Sequence, residues 1–160
     1  MIYSLIDQDN LILHRRVLGV SSSCNREGLS RILQEAMIAH NGIGLAAPQI
    51  GIEERAFAII LDGQPVTCFN PEVGVFSKEK TVMTEGCLSF PDAAINVNRP
   101  SAVRVAYENE LGTRVTVSLF GIEAKCFQHE LDHLDGITML DRGVPAATNL
   151  NTLDTGYDLC

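Results

Sequence analysis

The chain has 160 residues, 46% apolar and 20% charged, the balance of one ordinary soluble globular domain. Twelve basic residues against 20 acidic ones leave a formal net charge of -8, which excludes a nucleic-acid surface and a polybasic membrane patch, since both need clustered Lys and Arg. No apolar run approaches the roughly 20 residues of a membrane-spanning helix, and the start, Met1 to Arg16, lacks the order of a secretory signal, so the cytoplasm is the expected compartment.

The first segment, 1–22, mixes Leu11, Ile12, Leu13, Val17, Leu18 and Val20 with polar residues and is expected to wrap the core. A helix is predicted over 24–40, because Leu29, Ile32, Leu33, Ala36 and Met37 form one apolar stripe. Ser22, Ser23 and Asn25 offer N-cap oxygens. Asn41-Gly42 is the expected stop, with glycine taking the left-handed conformation.

The middle of the chain reads as strands. Ala56–Leu61 and Val66–Phe69 are short apolar runs around an Asp62-Gly63 turn, and Val82–Thr84 leads into Gly86. Ala102–Tyr107 and Thr113–Phe120 alternate apolar and polar residues about a hairpin connection at Glu108–Gly112. A second helix is predicted over 122–134, with Ala124, Phe127, Leu131 and Leu134 as its apolar contacts. Helix, antiparallel strands and helix make an α+β fold rather than alternating βαβ units. One domain is expected over 1–142, followed by an irregular acidic tail over 143–160.

Chemistry concentrates in His129-Glu130-Leu131-Asp132-His133. Two imidazoles four positions apart share one helix face and can hold one divalent ion, and the carboxylate of Glu130 can take a proton from a water on that ion. A catalytic centre needs a third protein ligand, and Cys87, Cys126, His14, His40 and several carboxylates all qualify from the residues alone. Cys126 reads more simply as a small core residue and His40 as a ring at a helix C-terminus. The five cysteines are widely spaced with no CxxC pair, the pattern of reduced thiols. Gly42-Ile43-Gly44-Leu45-Ala46-Ala47-Pro48-Gln49 permits close approach of another backbone and ends in an amide donor, yet matches no nucleotide-binding fingerprint.

Taken together and in order, residues 42–49 (GIGLAAPQ), 85–89 (EGCLS) and 128–136 (QHELDHLDG) resemble the three signature motifs of the peptide deformylase family. The elements between them fit that family's layout from about 10 to 142. The resemblance implies antiparallel strands packed around a central metal-binding helix, with Cys87, His129 and His133 as metal ligands and water in the fourth position. It implies Fe2+ as the usual metal, with Zn2+, Ni2+ or Co2+ able to replace it. The implied reaction removes the formyl group from N-formylmethionine at the start of new polypeptides and releases formate. Glu130 would serve as general base and then acid, and Gln49 and the Leu88 N–H would steady the oxyanion. Gly42, Ile43 and Gly44 would line the peptide groove, and Ile43, Ile122 and Cys126 would wall the methionine pocket. Glu85 and Arg99 fall where a pair commonly stands near the site; an ordinary surface pair is the plainer reading.

The chain departs from this pattern at its ends. Many bacterial members carry a basic C-terminal helix that docks on the ribosome exit region. Here 143–160 holds Asp154, Asp158, Gly143, Pro145 and Gly156 and no basic residue, so that helix is expected to be absent, as in virus-encoded relatives. Gln8-Asp9 stands where many relatives show a Pro-containing pair. Two other readings compete. A metalloprotease would use the same helix motif, but no His follows His133. A structural metal site in an interaction module would need a fourth protein ligand, for which only Cys126 offers itself, and would leave Glu130 without a role.

Overall fold

Alternation along one short strand decides how the molecule is layered. Phe57 and Ile59 join one hydrophobic cluster while Ala56 and Ala58 join another, because successive side chains of a strand leave on opposite faces. The computed structural model describes residues 3–146, 159 and 160, and in it this strand, β2 (Ala56–Leu61), lies between β1 (Gly44–Ala46) and β3 (Gln64–Phe76). β6 (Ala102–Glu108) and β7 (Arg114–Phe120) complete an antiparallel five-stranded sheet in the order β1-β2-β3-β6-β7. A second sheet pairs β4 (Lys80–Cys87) with β5 (Phe90–Pro100), and β5 in turn with β8 (Val144–Pro145).

Helix α1 (Arg26–Ala39) covers the alanine side of β2 with Leu29, Leu33 and Met37. Its N-cap is Asn25, whose side chain accepts from the Gly28 N–H at 3.0 Å. The expected stop holds, but the left-handed residue is Asn41, with φ 60°, rather than Gly42. Asparagine tolerates that conformation, which leaves Gly42 to serve a close approach described below.

Helix α2 (Gly121–Leu134) covers the other side. Phe127 meets Phe57 edge to face with centroids 5.0 Å apart, among Ile59, Val103, Val105 and Leu119. Each of these buried side chains contributes about 1.5–3 kcal/mol through area removed from water. The N-terminal segment does wrap the core: Leu13 and Val17 are buried, and the Val17 N–H donates to the Leu134 carbonyl at 2.8 Å. Arg55 ties this junction by donating to the carbonyls of Val17 and Leu134 and to Asp135.

Several strands exceed their predicted lengths. β3 runs on past a bulge at Asn70, which has φ 46° and precedes Pro71; there it passes from β2 to β6. The strand β5 was hidden in sequence, because Pro91, Asp92, Asn96 and Asn98 are poor strand formers. Its buried alternation is nonetheless regular at Ile95, Val97 and Arg99. The tail, expected irregular from 143, begins with β8 against Asn96 and Ile95. Asp154, Gly156 and Asp158 lie outside the described residues.

Candidate metal centre

α2 is buried on nearly every side, so its polar residues must find partners inside the protein. Helical spacing stacks His129 and His133 with ring centroids 5.0 Å apart. β4 delivers the third group: the ladder with β5 slips between Glu85 and Cys87, and Gly86 sits at that irregularity. The slip places Sγ of Cys87 3.3 Å from Nε2 of His133. One ligand atom from each of Cys87, His129 and His133 lies within 4.8 Å of the others, and all three residues are buried. Donors around a single tetrahedral ion stand roughly 3.5 Å apart, so the residues fit such an ion. Among the described residues no fourth Cys, His, Asp or Glu joins them, the open arrangement of a catalytic centre. Cys126 stands apart, grouped with Glu130 and Cys160. His14 is held by the Gln8 carbonyl and His40 by the Tyr3 carbonyl, so neither reaches the centre.

A second row of residues fixes these ligands. Nδ1 of His129 lies 2.8 Å from Oε1 of Glu85. Glu85 is fully buried and accepts from Nε of Arg99 at 2.6 Å and from Nη2 at 3.1 Å. The pair stands beside the site, as the resemblance implied, and is buried rather than on the surface, because the β4–β5 pairing turns both side chains inward. Burial works against ionising Glu85, but hydrogen bonds from His129 and Arg99 outweigh it and bring its pKa down to about 2. An ionised carboxylate only accepts, so Nδ1 of His129 carries a proton and Nε2 is the nitrogen left to face a metal. That Nε2 is buried with no hydrogen-bond partner among the described residues. Arg99 also donates to Asp132 at 2.9 Å, and Asp132 accepts twice from Arg142. Sequence reasoning missed Asp132 and Arg142; the position of Asp132 inside the helix motif was the one available signal.

Burial opposes charge on His129, yet the groups around it, Cys160, Cys87 and Glu85, outweigh that and hold the ring well above its ordinary range. Surroundings that favour a proton there also favour a metal cation. Burial together with the neighbouring His129 and Arg99 charges holds His133 well below the imidazole range, in the neutral form that ligates.

Glu130 has both carboxylate oxygens buried and unpartnered among the described residues. Burial pushes its carboxyl well above the usual range. A Cβ on Gly44 would stand 2.7 Å from Glu130 Oε1 and 2.7 Å from Cys126 Sγ, so only glycine passes so close. Gln49 accepts from the Ala46 N–H through Oε1 at 2.8 Å. Its Nε2 donates to Ser89 Oγ at 3.0 Å and lies 3.7 Å from Cys87 Sγ. The Leu88 N–H and the Ile43 N–H point into the gap between β1 and the end of β4, where Cys160 O and Leu159 O accept from them at 2.8 Å each. Ile122, expected in the pocket wall, is half exposed at the start of α2.

A family profile described as polypeptide deformylase matches residues 2–149. The peptide deformylase of Thermotoga neapolitana is 42% identical over 123 residues, covering 75% of this chain and 75% of its own. That of Prochlorococcus marinus strain AS9601 is 37% identical over 155 residues, covering 94% and 76%. The crystal structure of the Thermotoga maritima peptide deformylase superposes with a TM-score of 0.86 at 36% identity, over 91% of this chain and 99% of that one. A peptide deformylase from Synechococcus elongatus, solved in complex with actinonin, gives 0.82 at 31% identity, over 95% and 82%.

Proposed function

Because the chain belongs to the polypeptide deformylase family, we propose how its own residues divide the work of the family reaction. The chain is an enzyme: a metal-dependent hydrolase that removes the N-formyl group from the methionine of newly made proteins and releases formate. The observation that carries the assignment of roles is the convergence of Cys87, His129 and His133 beside the unpartnered carboxyl of Glu130.

Cys87, His129 and His133 hold a divalent cation, which when bound polarises the formyl oxygen and acidifies a water. Glu130 accepts the proton of the attacking water and passes it to the leaving amine, a role suited to a buried carboxyl that binds a proton more readily than an exposed one. The Gln49 amide and the Leu88 N–H donate to the oxygen that gains negative charge on the formyl carbon. Gly42, Ile43 and Gly44 line a groove in which the peptide lies extended and pairs with main-chain groups, in the manner of strand addition. Thiolate and imidazole suit several metals. Fe2+ is the metal we assign, with Zn2+, Ni2+ or Co2+ as replacements, and the bacterial cytoplasm, or that of a virus-infected bacterium, is where we place the reaction. We place the encounter with the nascent chain near the ribosome exit region.

The test is formate release from a formyl-Met peptide by protein loaded anaerobically with ferrous iron. Glu130→Gln is expected to bind metal at full stoichiometry and lose turnover, whereas Cys87→Ser is expected to bind metal weakly. Equal turnover in Glu130→Gln, or unchanged metal content in Cys87→Ser, overturns this division of roles.

A further inference from the structure

The last two described residues occupy the groove in which the substrate is placed. Leu159 O accepts from the Ile43 N–H at 2.8 Å, Cys160 O accepts from the Leu88 N–H at 2.8 Å, and the Cys160 N–H donates to Gly86 O at 3.3 Å. Gly86 and Leu159 form a parallel bridge. Leu159 and Cys160 thereby bridge Ile43, just before β1, and the end of β4. The side chains are held as well. Cys160 is fully buried with its Sγ 3.1 Å from Cys126 Sγ, and it shares a cluster with the Glu130 carboxyl. Leu159 packs on the cluster that contains Leu88. A Cβ at Gly42 would meet Leu88 Cδ1 at 2.7 Å, so glycine leaves Leu88 its place beside Leu159, whose carbonyl oxygen would lie at an ordinary contact distance of 3.4 Å.

We infer that Leu159–Cys160 is an internal ligand of the peptide groove that competes with formylated peptides for the Ile43 and Leu88 N–H groups and for the pocket beside Cys126. The inference rests on the proposed function, which assigns that groove and those donors to substrate. Its chemistry is that of a short extended peptide with a sulfur-bearing side chain. Main-chain pairing provides attachment and one pocket takes the side chain, which is how peptides join an open sheet edge. Being part of the same chain, the segment competes intramolecularly, at an effective concentration that does not depend on how much protein is present. An occupant of this kind raises the apparent KM for peptide and leaves kcat unchanged, because a saturating substrate displaces it.

Two measurements test this. In the first, the full chain and a variant lacking Leu159 and Cys160 are compared in formate release from a formyl-Met peptide. The shortened form is expected to show a KM lower by about threefold or more at equal kcat. Release by both forms with a KM that does not fall overturns the internal ligand while the proposed function stands. No release from either form overturns the proposed function and the inference with it. The second measurement needs no turnover. Diamide takes up two electrons and two protons as the thiols of Cys126 and Cys160 join in a disulfide, and peptide mapping reads the cross-link. The full chain is expected to form the Cys126–Cys160 link readily, and saturating formyl-Met peptide to suppress it several-fold. A cross-link that does not form, or that peptide leaves unchanged, overturns the inference.

Discussion

Glu85 orients His129: their 2.8 Å hydrogen bond settles which imidazole nitrogen faces the metal position. The same carboxylate is fixed by two bonds from Arg99, and Arg99 is fixed by Asp132 one turn along α2 from His129. The ligand helix and the ligand strand are thus joined by a closed chain of buried charges. Glu85→Gln keeps the shape but allows the amide to present a donor to Nδ1. Metal affinity is expected to fall 10- to 100-fold, the usual result of losing a partner behind a ligand, as read by competition with a chelator. Arg99→Ala is expected to be worse for folding, because it leaves both Glu85 and Asp132 buried with fewer donors. A loss of about 3–5 kcal/mol in denaturant unfolding is expected.

Gly44 lies against the carboxyl of Glu130. In Gly44→Ala the new methyl would meet Oε1 at 2.7 Å and Cys126 Sγ at 2.7 Å, and the side chain able to yield is that of Glu130. Turnover is expected to fall at least about 100-fold while metal content stays whole, since a misplacement of about 1 Å is enough to cost that much. Gly74→Ala is the control: its nearest neighbour would be 3.7 Å away, so activity is expected to be unchanged.

Much of this site was legible before any coordinates, and the limits are physical. The helix motif could be read because four-residue spacing is a local property of an α-helix, and His129 and His133 do share a face. The apolar stripe of α1 and the β6–β7 hairpin were legible for the same local reason. Cys87 could be joined to the helix only through the resemblance of its motif, since no local rule links a cysteine at a strand end to a distant helix. The Glu85–Arg99 pair was suggested only by the resemblance, because its burial depends on the inward turn of β5, a strand masked by proline and asparagine. Arg142 reaches Asp132 from beyond the helix, outside any periodic pattern. Leu159–Cys160 had no signature at all, since its seat is made by main-chain groups that every residue carries.

A salt link away from the centre predicts a pH dependence of stability. Arg26 at the start of α1 donates to Glu108 of β6 at 2.7 Å and also lies over the Phe69 ring. The Arg26 hydrogen bond holds the Glu108 carboxyl below its ordinary value of 4.5. A carboxyl with a depressed folded pKa adds stability that is complete above the unfolded value and lost as pH falls through the folded one. Glu108→Gln is therefore expected to cost about 0.5 kcal/mol near neutral pH, the scale of a partly exposed pair. The difference from the parent is expected to shrink as pH falls below 4.5, as measured by urea unfolding at a series of pH values.

Gln49 does two jobs with the two ends of one amide, and its variants can separate them. Oε1 takes the Ala46 N–H and so holds the end of β1, while Nε2 lies between Ser89 Oγ and the sulfur of Cys87. Ser89→Ala removes only the resting partner of Nε2; the amide keeps its anchor on Ala46, and kcat is expected to change less than threefold, or about 0.6 kcal/mol. Gln49→Ala removes donor and anchor together, and kcat is expected to fall by 10²–10³, about 3–4 kcal/mol of barrier, if Nε2 meets the developing oxyanion. A KM that rises at constant kcat would instead mean that Gln49 only shapes the groove through β1. The contrast between the two variants is decisive because both remove a hydrogen bond from the same buried amide, and only one removes the group proposed to face the substrate.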